Sequence, residues 1–212
     1  MKNIICSHGF GVMADSRGMF TELTVAFPDY KVVMFDYNHL LPNGDLVVST
    51  IDSQAKLLQK MIDQQPGDSL LLCHSQGSVI AGLVDLTKIS QVILLAPPVN
   101  LSLQRVIGKM LQRPGAEVGS DGTYRLPRSD GTVSLVPKQY IDSLESKNPM
   151  DLYQRIANTK PTLIIRATED KVLGLTSVSQ IRHASHVDIA AGHDFGGTAR
   201  NILLLELKKF IK

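Results

Sequence analysis

One short stretch of the sequence constrains the fold more than any other, because it changes from a strand pattern to a helix pattern at a single serine. Residues 70–73 are three leucines and a cysteine, an apolar run typical of a strand buried on both faces of a parallel sheet. Residues 78–84 then have the apolar spacing of a helix that packs on such a sheet. Ser75 lies between the two patterns, so its side chain is predicted to project above the end of the strand.

The residues around this serine form a short motif. The sequence CHSQG has small residues two positions before and two positions after Ser75, as a tight turn between a strand and a helix requires. This pattern resembles the G-x-S-x-G nucleophile elbow of the α/β-hydrolases, with Cys73 in place of the first glycine. Taken alone, the motif leaves a second interpretation open, in which Ser75 only caps a core helix.

Short apolar runs alternate with amphipathic stretches along the chain, which indicates a parallel sheet covered by helices. Six strands are predicted, at residues 3–6, 31–35, 69–73, 91–95, 162–166 and 186–190. One predicted helix ends before a Pro-Gly signal and has an apolar stripe of Val48, Ile51, Ala55, Leu58 and Ile62, and the last helix covers residues 198–211. The expected fold class is α/β, a doubly wound, mostly parallel six-stranded sheet with helices on both faces. The resemblance implies a minimal α/β-hydrolase fold with strand order 2-1-3-4-5-6.

Composition fits a single domain over residues 1–212 and argues against several kinds of partner. The formal net charge is +2 and the basic residues are scattered, so we expect no nucleic-acid partner and no stable membrane insertion. Cys6 and Cys73 fall in predicted core strands as small hydrophobic residues, although the sequence leaves a disulfide between them open. No metal site is expected. The N-terminal apolar run is too short for a signal peptide, which predicts a cytoplasmic location.

One segment breaks the alternation, because residues 96–161 are too many for an ordinary link between two strands. Two turn signals, the second at residues 129–132, are each followed by a short strand pattern and predict a β-hairpin. The hairpin strands are predicted at residues 124–126 and 133–135, and flanking helices at residues 103–111 and 138–156. We predict that residues 101–159 form a small cap inserted over the active site. The alternative is a surface excursion without a role.

The resemblance also implies an acid and a histidine that follow Ser75 in chain order. The sequence TLIIRATED runs from a β-branched strand into an acidic turn that is similar to the family's acid loop. Its position in the motif favours Asp170 over the adjacent Glu169. The sequence AAGHDF follows the last predicted strand, resembles the family's histidine loop and nominates His193 as the base.

A further motif follows the first predicted strand. The sequence SHGFG resembles the family's His-Gly-x loop, which implies an oxyanion hole made by the backbone N–H groups of Phe10 and Gln76. A phosphate-binding loop is a poor alternative, because the glycines lack the Walker spacing and its lysine. His8 and Gly9 in this loop, and His74 beside the serine, are expected to contact the substrate.

Together the motifs imply a serine hydrolase that cleaves carboxylic esters or thioesters through an acyl-enzyme, without a cofactor. Ser75 is the expected nucleophile, His193 the base and Asp170 the residue that orients it. Two alternatives stay open. One is another reaction of the family, such as hydrolysis of a C–C or amide bond, and the other is a non-catalytic ligand-binding protein with the same fold. The expected partner is a small ester or acyl molecule, and both an apolar acyl chain and an acidic leaving group suit the composition of the predicted cap.

Overall fold

The computed structural model describes residues 2–128 and 130–211, without the side chains of Gln104 and Arg105, so Ser129 of the predicted hairpin turn lies outside the described residues. The strands are β1 (Lys2–Ser7), β2 (Tyr30–Val33), β3 (His39–Leu40), β4 (Leu46–Val47), β5 (Ser69–His74), β6 (Ile89–Leu95), β7 (Glu117–Val118), β8 (Tyr124–Pro127), β9 (Val133–Val136), β10 (Thr162–Ala167) and β11 (Ala184–Ile189). The helices are α1 (Met19–Ala26), α2 (Ile51–Asp63), α3 (Gln76–Ala81), α4 (Leu103–Val106), α5 (Gly108–Leu111), α6 (Lys138–Glu145), α7 (Pro149–Thr159) and α8 (Thr198–Phe210). Within these ranges, no helix combines the length and the apolar character that a bilayer span requires.

Six strands form one parallel sheet in the order β2-β1-β5-β6-β10-β11. Numbered among themselves in chain order, these strands read 2-1-3-4-5-6, which confirms the predicted order and fold class. Each predicted strand overlaps an observed strand, and its ends differ from the observed ends by at most two residues. Because the strands are parallel, the loops after β1, β5, β10 and β11 all lie at the same edge of the sheet.

The sheet separates two core layers, and side chains along each strand alternate between them. Ile5 and Cys73 belong to the layer covered by α2, α3, α6 and α7, whereas Ile4 and Cys6 belong to the layer covered by α1 and α8. Both thiols are free, and burial raises the pKa of each. Since Cys6 and Cys73 point to opposite faces, the disulfide left open by the sequence does not form.

Helix α2 begins with a side-chain cap. Thr50 accepts a hydrogen bond from the N–H of Ser53, and the helix ends before the Pro-Gly signal, as predicted. Val48 was predicted on the stripe of this helix, and that assignment was wrong. Its N–H donates to the carbonyl of Leu135, so Val48 extends a strand pairing instead.

A second sheet of five strands carries the predicted hairpin. β8 and β9 pair antiparallel, which confirms the hairpin, and β7 adds to its outer edge. On its inner side, β9 pairs in parallel with β4 through Leu46 opposite Ser134 and Val47 opposite Leu135. The sequence did not predict β3, β4 or β7, because a strand of two residues has no measurable periodicity. The pairing with β4 anchors the insertion to the segment that follows β2.

Each helical stretch predicted beside the hairpin is divided in two. The first forms α4 and α5, and the second forms α6 and α7. α7 begins where Asn148 caps the N–H of Met150 and Pro149 occupies the first helical position, which suits a residue without an N–H. α7 packs on α3 and covers one face of the sheet, so it belongs to the layer of helices around the sheet. The cap role predicted for residues 101–159 stays a prediction for the residues before α7.

Replacement of Gly77 by alanine is expected to destabilise the protein. A Cβ at Gly77 would lie 2.1 Å from the carbonyl oxygen of Ser7, and overpacking of this kind typically costs about 1–3 kcal/mol. Urea unfolding followed by circular dichroism measures the loss. Gly196→Ala is the matched control, because nothing lies within 4 Å of a Cβ built there. Equal stability of the two variants would contradict the close approach of α3 to β1.

Candidate active site

Ser75 occupies the turn between β5 and α3, at the edge where the parallel strands end. Its backbone has φ 53° and ψ −123°, a conformation that residues with a side chain rarely adopt. The N–H of Ser75 donates to the carbonyl of Leu95 over 2.8 Å, and the close approach of Gly77 to Ser7 holds the other side of the turn. Cys73 is buried within β5, so the turn accommodates a side chain at the position of the family's first glycine.

The structure brings Ser75, His193 and Asp170 together in one hydrogen-bonded line. Nε2 of His193 lies 3.0 Å from Oγ of Ser75, and Nδ1 lies 2.7 Å from Oδ2 of Asp170. The other carboxylate oxygen accepts hydrogen bonds from the N–H groups of Val172, at 2.7 Å, and Leu173, at 2.9 Å. Because a carboxylate only accepts, we assign the proton of the neutral ring to Nδ1, which leaves Nε2 free to accept the proton of Ser75.

Asp170 is held in its charged form. Burial of this carboxylate disfavours the charge, but the hydrogen bond and charge of His193, followed by the two backbone N–H groups, outweigh burial and lower the pKa of Asp170 below its usual value. Glu169, the competing acid, is exposed, and its backbone N–H donates to the carbonyl of Ala191. The turn therefore directs Asp170 inward and Glu169 towards solvent.

His74 is buried beside His193 and supports its backbone. Nε2 of His74 lies 3.0 Å from the carbonyl oxygen of His193, and Nδ1 lies 3.1 Å from Oγ of Ser16. A carbonyl only accepts, so Nε2 carries the proton and Nδ1 accepts from the hydroxyl. Burial, and then the neighbouring imidazole of His193, lower the pKa of His74 to about 3, so this ring is neutral near pH 7. His74 also lines the cavity above Ser75, and its expected contact with the substrate stays a prediction.

His8 and Gly9 were both expected to contact substrate, and the structure places them differently. The ring of His8 is fully buried and outside the cavity lining, with Nδ1 2.9 Å from the carbonyl of Gly9 and Nε2 accepting from the N–H of Tyr37 over 3.0 Å. With both nitrogens used, His8 shapes the loop and makes no contact with the cavity. Gly9 lines the cavity, and a Cβ there would lie 3.1 Å from Cβ of Ser75.

Phe10 and Gln76, the two predicted oxyanion donors, both line the cavity next to Ser75. Within the described part of the chain, neither backbone N–H donates to a protein acceptor. Two donors are thus available beside the serine, one from the loop after β1 and one from the first turn of α3. This arrangement is what a developing oxyanion requires.

Sequence reasoning missed two buried side chains that contact this site. Gln54 and Tyr140 both hydrogen-bond the side chain of Gln76. For Gln54 a signal exists, because it falls on the apolar stripe of α2 between Ile51 and Leu58, where a polar group needs a buried partner. Tyr140 has no comparable signal, since its partner lies 64 residues earlier in the chain.

The cavity above Ser75 has a volume of about 300 Å³, at the lower end of the range of small-molecule sites. Its apolar wall is formed by Phe10, Val12, Pro98, Leu101, Val106, Met110, Leu144, Val172 and Leu173. The insertion supplies much of this wall through α4, α5 and α6. Arg17 and Arg113 also line the cavity, and Arg17 pairs with Asp194 at 2.7 Å.

The ligand atoms of His74, His193 and Asp194 lie within 4.8 Å of one another, a spacing that metal sites also have. Each group already has a hydrogen-bond partner. His74 binds the carbonyl of His193, the His193 ring lies between Ser75 and its acid, and Asp194 pairs with Arg17. We therefore interpret this cluster as part of the hydrogen-bonded site.

Substitution of His74 by glutamine is expected to make the fold less sensitive to acid. The folded protein keeps His74 neutral down to about pH 3, whereas the unfolded chain protonates it near pH 6.5, so wild-type stability falls as the pH drops through this window. The free energy of unfolding in urea, measured at pH 7 and pH 4, should therefore differ less in His74→Gln than in the wild type. His39→Gln changes an exposed histidine and should keep the wild-type difference. An unchanged difference in His74→Gln would contradict the neutral buried ring.

Among known proteins, the similarity of this chain is to solved structures. No protein family model and no curated protein matches the chain. Similar solved structures include one of the metagenome-derived lipolytic enzymes LipS and LipT, with 17% identity, 99% of this chain and 93% of that chain covered, and a TM-score of 0.70. The pyrethroid hydrolase PytH, with BIF, has 16% identity, coverage of 99% and 97%, and a TM-score of 0.66. Est1E from Butyrivibrio proteoclasticus, with ferulic acid bound, has 16% identity, coverage of 100% and 88%, and a TM-score of 0.70. The strand order, the parallel sheet and these likenesses together show that the chain has the α/β-hydrolase fold.

Proposed function

We propose that this protein is a serine hydrolase that cleaves carboxylic esters or thioesters through an acyl-enzyme. The observation that carries the proposal is the continuous line from Oγ of Ser75 through the ring of His193 to Asp170, with distances of 3.0 and 2.7 Å. A nucleophile within reach of a base, which a third group orients, is the arrangement that activates a serine hydroxyl. The lipolytic and pyrethroid-hydrolysing enzymes among the similar structures support a small ester as substrate.

In the proposed mechanism, Ser75 attacks the acyl carbon while Nε2 of His193 takes its proton. Asp170 stabilises the imidazolium that forms, and His193 then donates the proton to the leaving oxygen or sulfur. Water repeats these steps on the acyl-enzyme and releases the acid. His74 stays neutral because its pKa is low, so the transferred proton remains on His193 beside the leaving group.

The tetrahedral intermediate carries a negative charge on the former carbonyl oxygen. We assign its stabilisation to the backbone N–H groups of Phe10 and Gln76, which flank Ser75 and have no acceptor among the described residues. One such donor is worth about 3 kcal/mol in the transition state. The mechanism uses only groups of the chain and water.

The cavity supports an uncharged, compact acyl group. Its wall beside Ser75 is apolar, and its volume of about 300 Å³ suits a small acyl group. Arg113 also lines this cavity, and its Nη1 donates to the carbonyl of Pro127 over 3.1 Å.

Ser75→Ala should abolish covalent labelling by a serine-directed organophosphonate and lower hydrolysis of an aryl ester by several orders of magnitude, because the three groups act as a unit. Intact-protein mass spectrometry measures the labelling, and absorbance of the released phenol measures the rate. Ser78→Ala is a control that removes a buried hydroxyl three residues away. Labelling that persists in Ser75→Ala would contradict the assignment.

Asp170→Asn should lose roughly 10⁴-fold in kcat, as the same change does in a serine protease triad, because an amide does not hold the productive tautomer of His193. Glu169→Gln is the matched control on the adjacent residue and should stay close to the wild type, since its side chain is exposed. The comparison uses kcat for one aryl ester at the same neutral pH for both variants. A larger loss in Glu169→Gln than in Asp170→Asn would overturn the choice of acid.

A further inference from the structure

A chain of buried polar side chains runs from the insertion to the residue after Ser75. The hydroxyl of Tyr140, on α6, donates to Oε1 of Gln76. Nε2 of Gln76 donates to Oε1 of Gln54 on α2 over 2.6 Å, and Nε2 of Gln54 donates to the carbonyl of Ser49 over 2.6 Å. Tyr140, Gln76 and Gln54 are 0%, 5% and 1% exposed, so their hydrogen bonds are shielded from bulk water.

The side-chain amides of Gln54 and Gln76 each have one orientation in which the oxygen and the NH₂ group both find a hydrogen-bond partner. The carbonyl of Ser49 only accepts, so Gln54 presents its NH₂ group there and its oxygen to Gln76. The amide of Gln76 then turns its own oxygen to Tyr140. Burial raises the pKa of Tyr140 well above its ordinary value, so the hydroxyl stays a donor throughout the working pH range. Both polar atoms of the Gln76 side-chain amide are therefore held by hydrogen bonds.

Tyr140 also contacts the other residue to which we assign an oxyanion donor. Its ring lies against the ring of Phe10, with centroids 5.4 Å apart and 35° between the ring planes. One side chain of the insertion therefore contacts the side chains of both Phe10 and Gln76. Arg128 adds a second link from the insertion, because its Nη1 donates to the carbonyl of Gly11 over 3.3 Å.

We propose that Tyr140 is a positioning residue for the oxyanion hole, which holds Gln76 through its hydroxyl and Phe10 through its ring so that both backbone N–H groups converge on the reacting oxygen. This inference rests on the proposed function. Hydrogen bonds weaken steeply with distance and angle, so a small rotation at Gln76 reduces transition-state binding more than substrate binding. The insertion then supports the reaction itself as well as forming the cavity wall.

Tyr140→Phe tests this role, because it keeps the ring against Phe10 and removes the hydroxyl that fixes Gln76. Loss of a whole oxyanion donor costs roughly 10²–10³ in kcat, so a displaced donor should cost about tenfold with little change in KM. A boronic acid that forms a tetrahedral adduct on Ser75 should bind about tenfold more weakly, whereas the planar carboxylate product should bind as before. Unchanged kcat and boronate affinity, or an equal loss for boronate and product, would overturn the proposal.

Tyr153→Phe is the matched control. Tyr153 is also 0% exposed, and its hydroxyl donates to the carbonyl of Pro98 over 2.8 Å and not to Gln76. Its loss of stability measures the general cost of removing a buried tyrosine hydroxyl. The ratio of boronate to product affinity should stay at the wild-type value in Tyr153→Phe, and the same fall as in Tyr140→Phe would contradict a specific role.

Gln54→Met, on α2, changes the other hydrogen-bond partner of the Gln76 side chain. It tests whether the position of Gln76 matters if Tyr140→Phe does not fold. It removes the second partner of Gln76 and should reproduce the fall in kcat and in boronate affinity, and wild-type values would overturn the proposal. The wild type serves as the separate test of the proposed function. Failure of wild-type Ser75 to react with a phosphonate contradicts that function, whereas normal wild-type activity with an unimpaired Tyr140→Phe contradicts only the positioning role.

Discussion

The contact between the end of β1 and the start of α3 determines where the candidate site lies. Gly77 approaches the carbonyl of Ser7 so closely that no side chain fits, and the hydroxyl of Ser7 donates to the carbonyl of Gly77 over 3.2 Å. This contact fixes the turn at Ser75 and the loop that begins after Ser7 relative to each other. Contacts within the protein therefore hold together the two segments that we assign to the oxyanion hole, independently of any substrate.

Three histidines around this edge differ in chemistry because their ring nitrogens have different hydrogen-bond partners. His8 and His74 each use both ring nitrogens in hydrogen bonds to backbone or hydroxyl groups, and burial lowers the pKa of both. Only His193, of these three, has one nitrogen on a carboxylate and the other on Ser75. Hydrogen-bond partners, more than residue type, thus separate a structural imidazole from one that is placed to move a proton.

Local strand and helix patterns predicted the parallel sheet and the turn at Ser75. The loops that carry Asp170 and His193 were predicted because the short motifs after two strands resemble those of the α/β-hydrolases. The pairing of β4 with β9 and the contact of Tyr140 with Gln76 were not predictable in this way. Both join segments far apart in the chain, and neither leaves a periodic signal in either segment. The role of His8 was also beyond the sequence, since its partner Tyr37 becomes a neighbour only when β1 and β2 pair.

Acylation of Ser75 during turnover is the central step of the proposed mechanism, and rapid-quench kinetics with an aryl acetate tests it most directly. We expect a burst of about one phenol per chain, followed by the steady rate, as is typical when an acyl-enzyme accumulates. Acid-quenched protein should gain one acetyl group, which peptide mass spectrometry locates on Ser75. An acetyl group on another residue, or steady ester turnover without any acetylated protein, would contradict this mechanism.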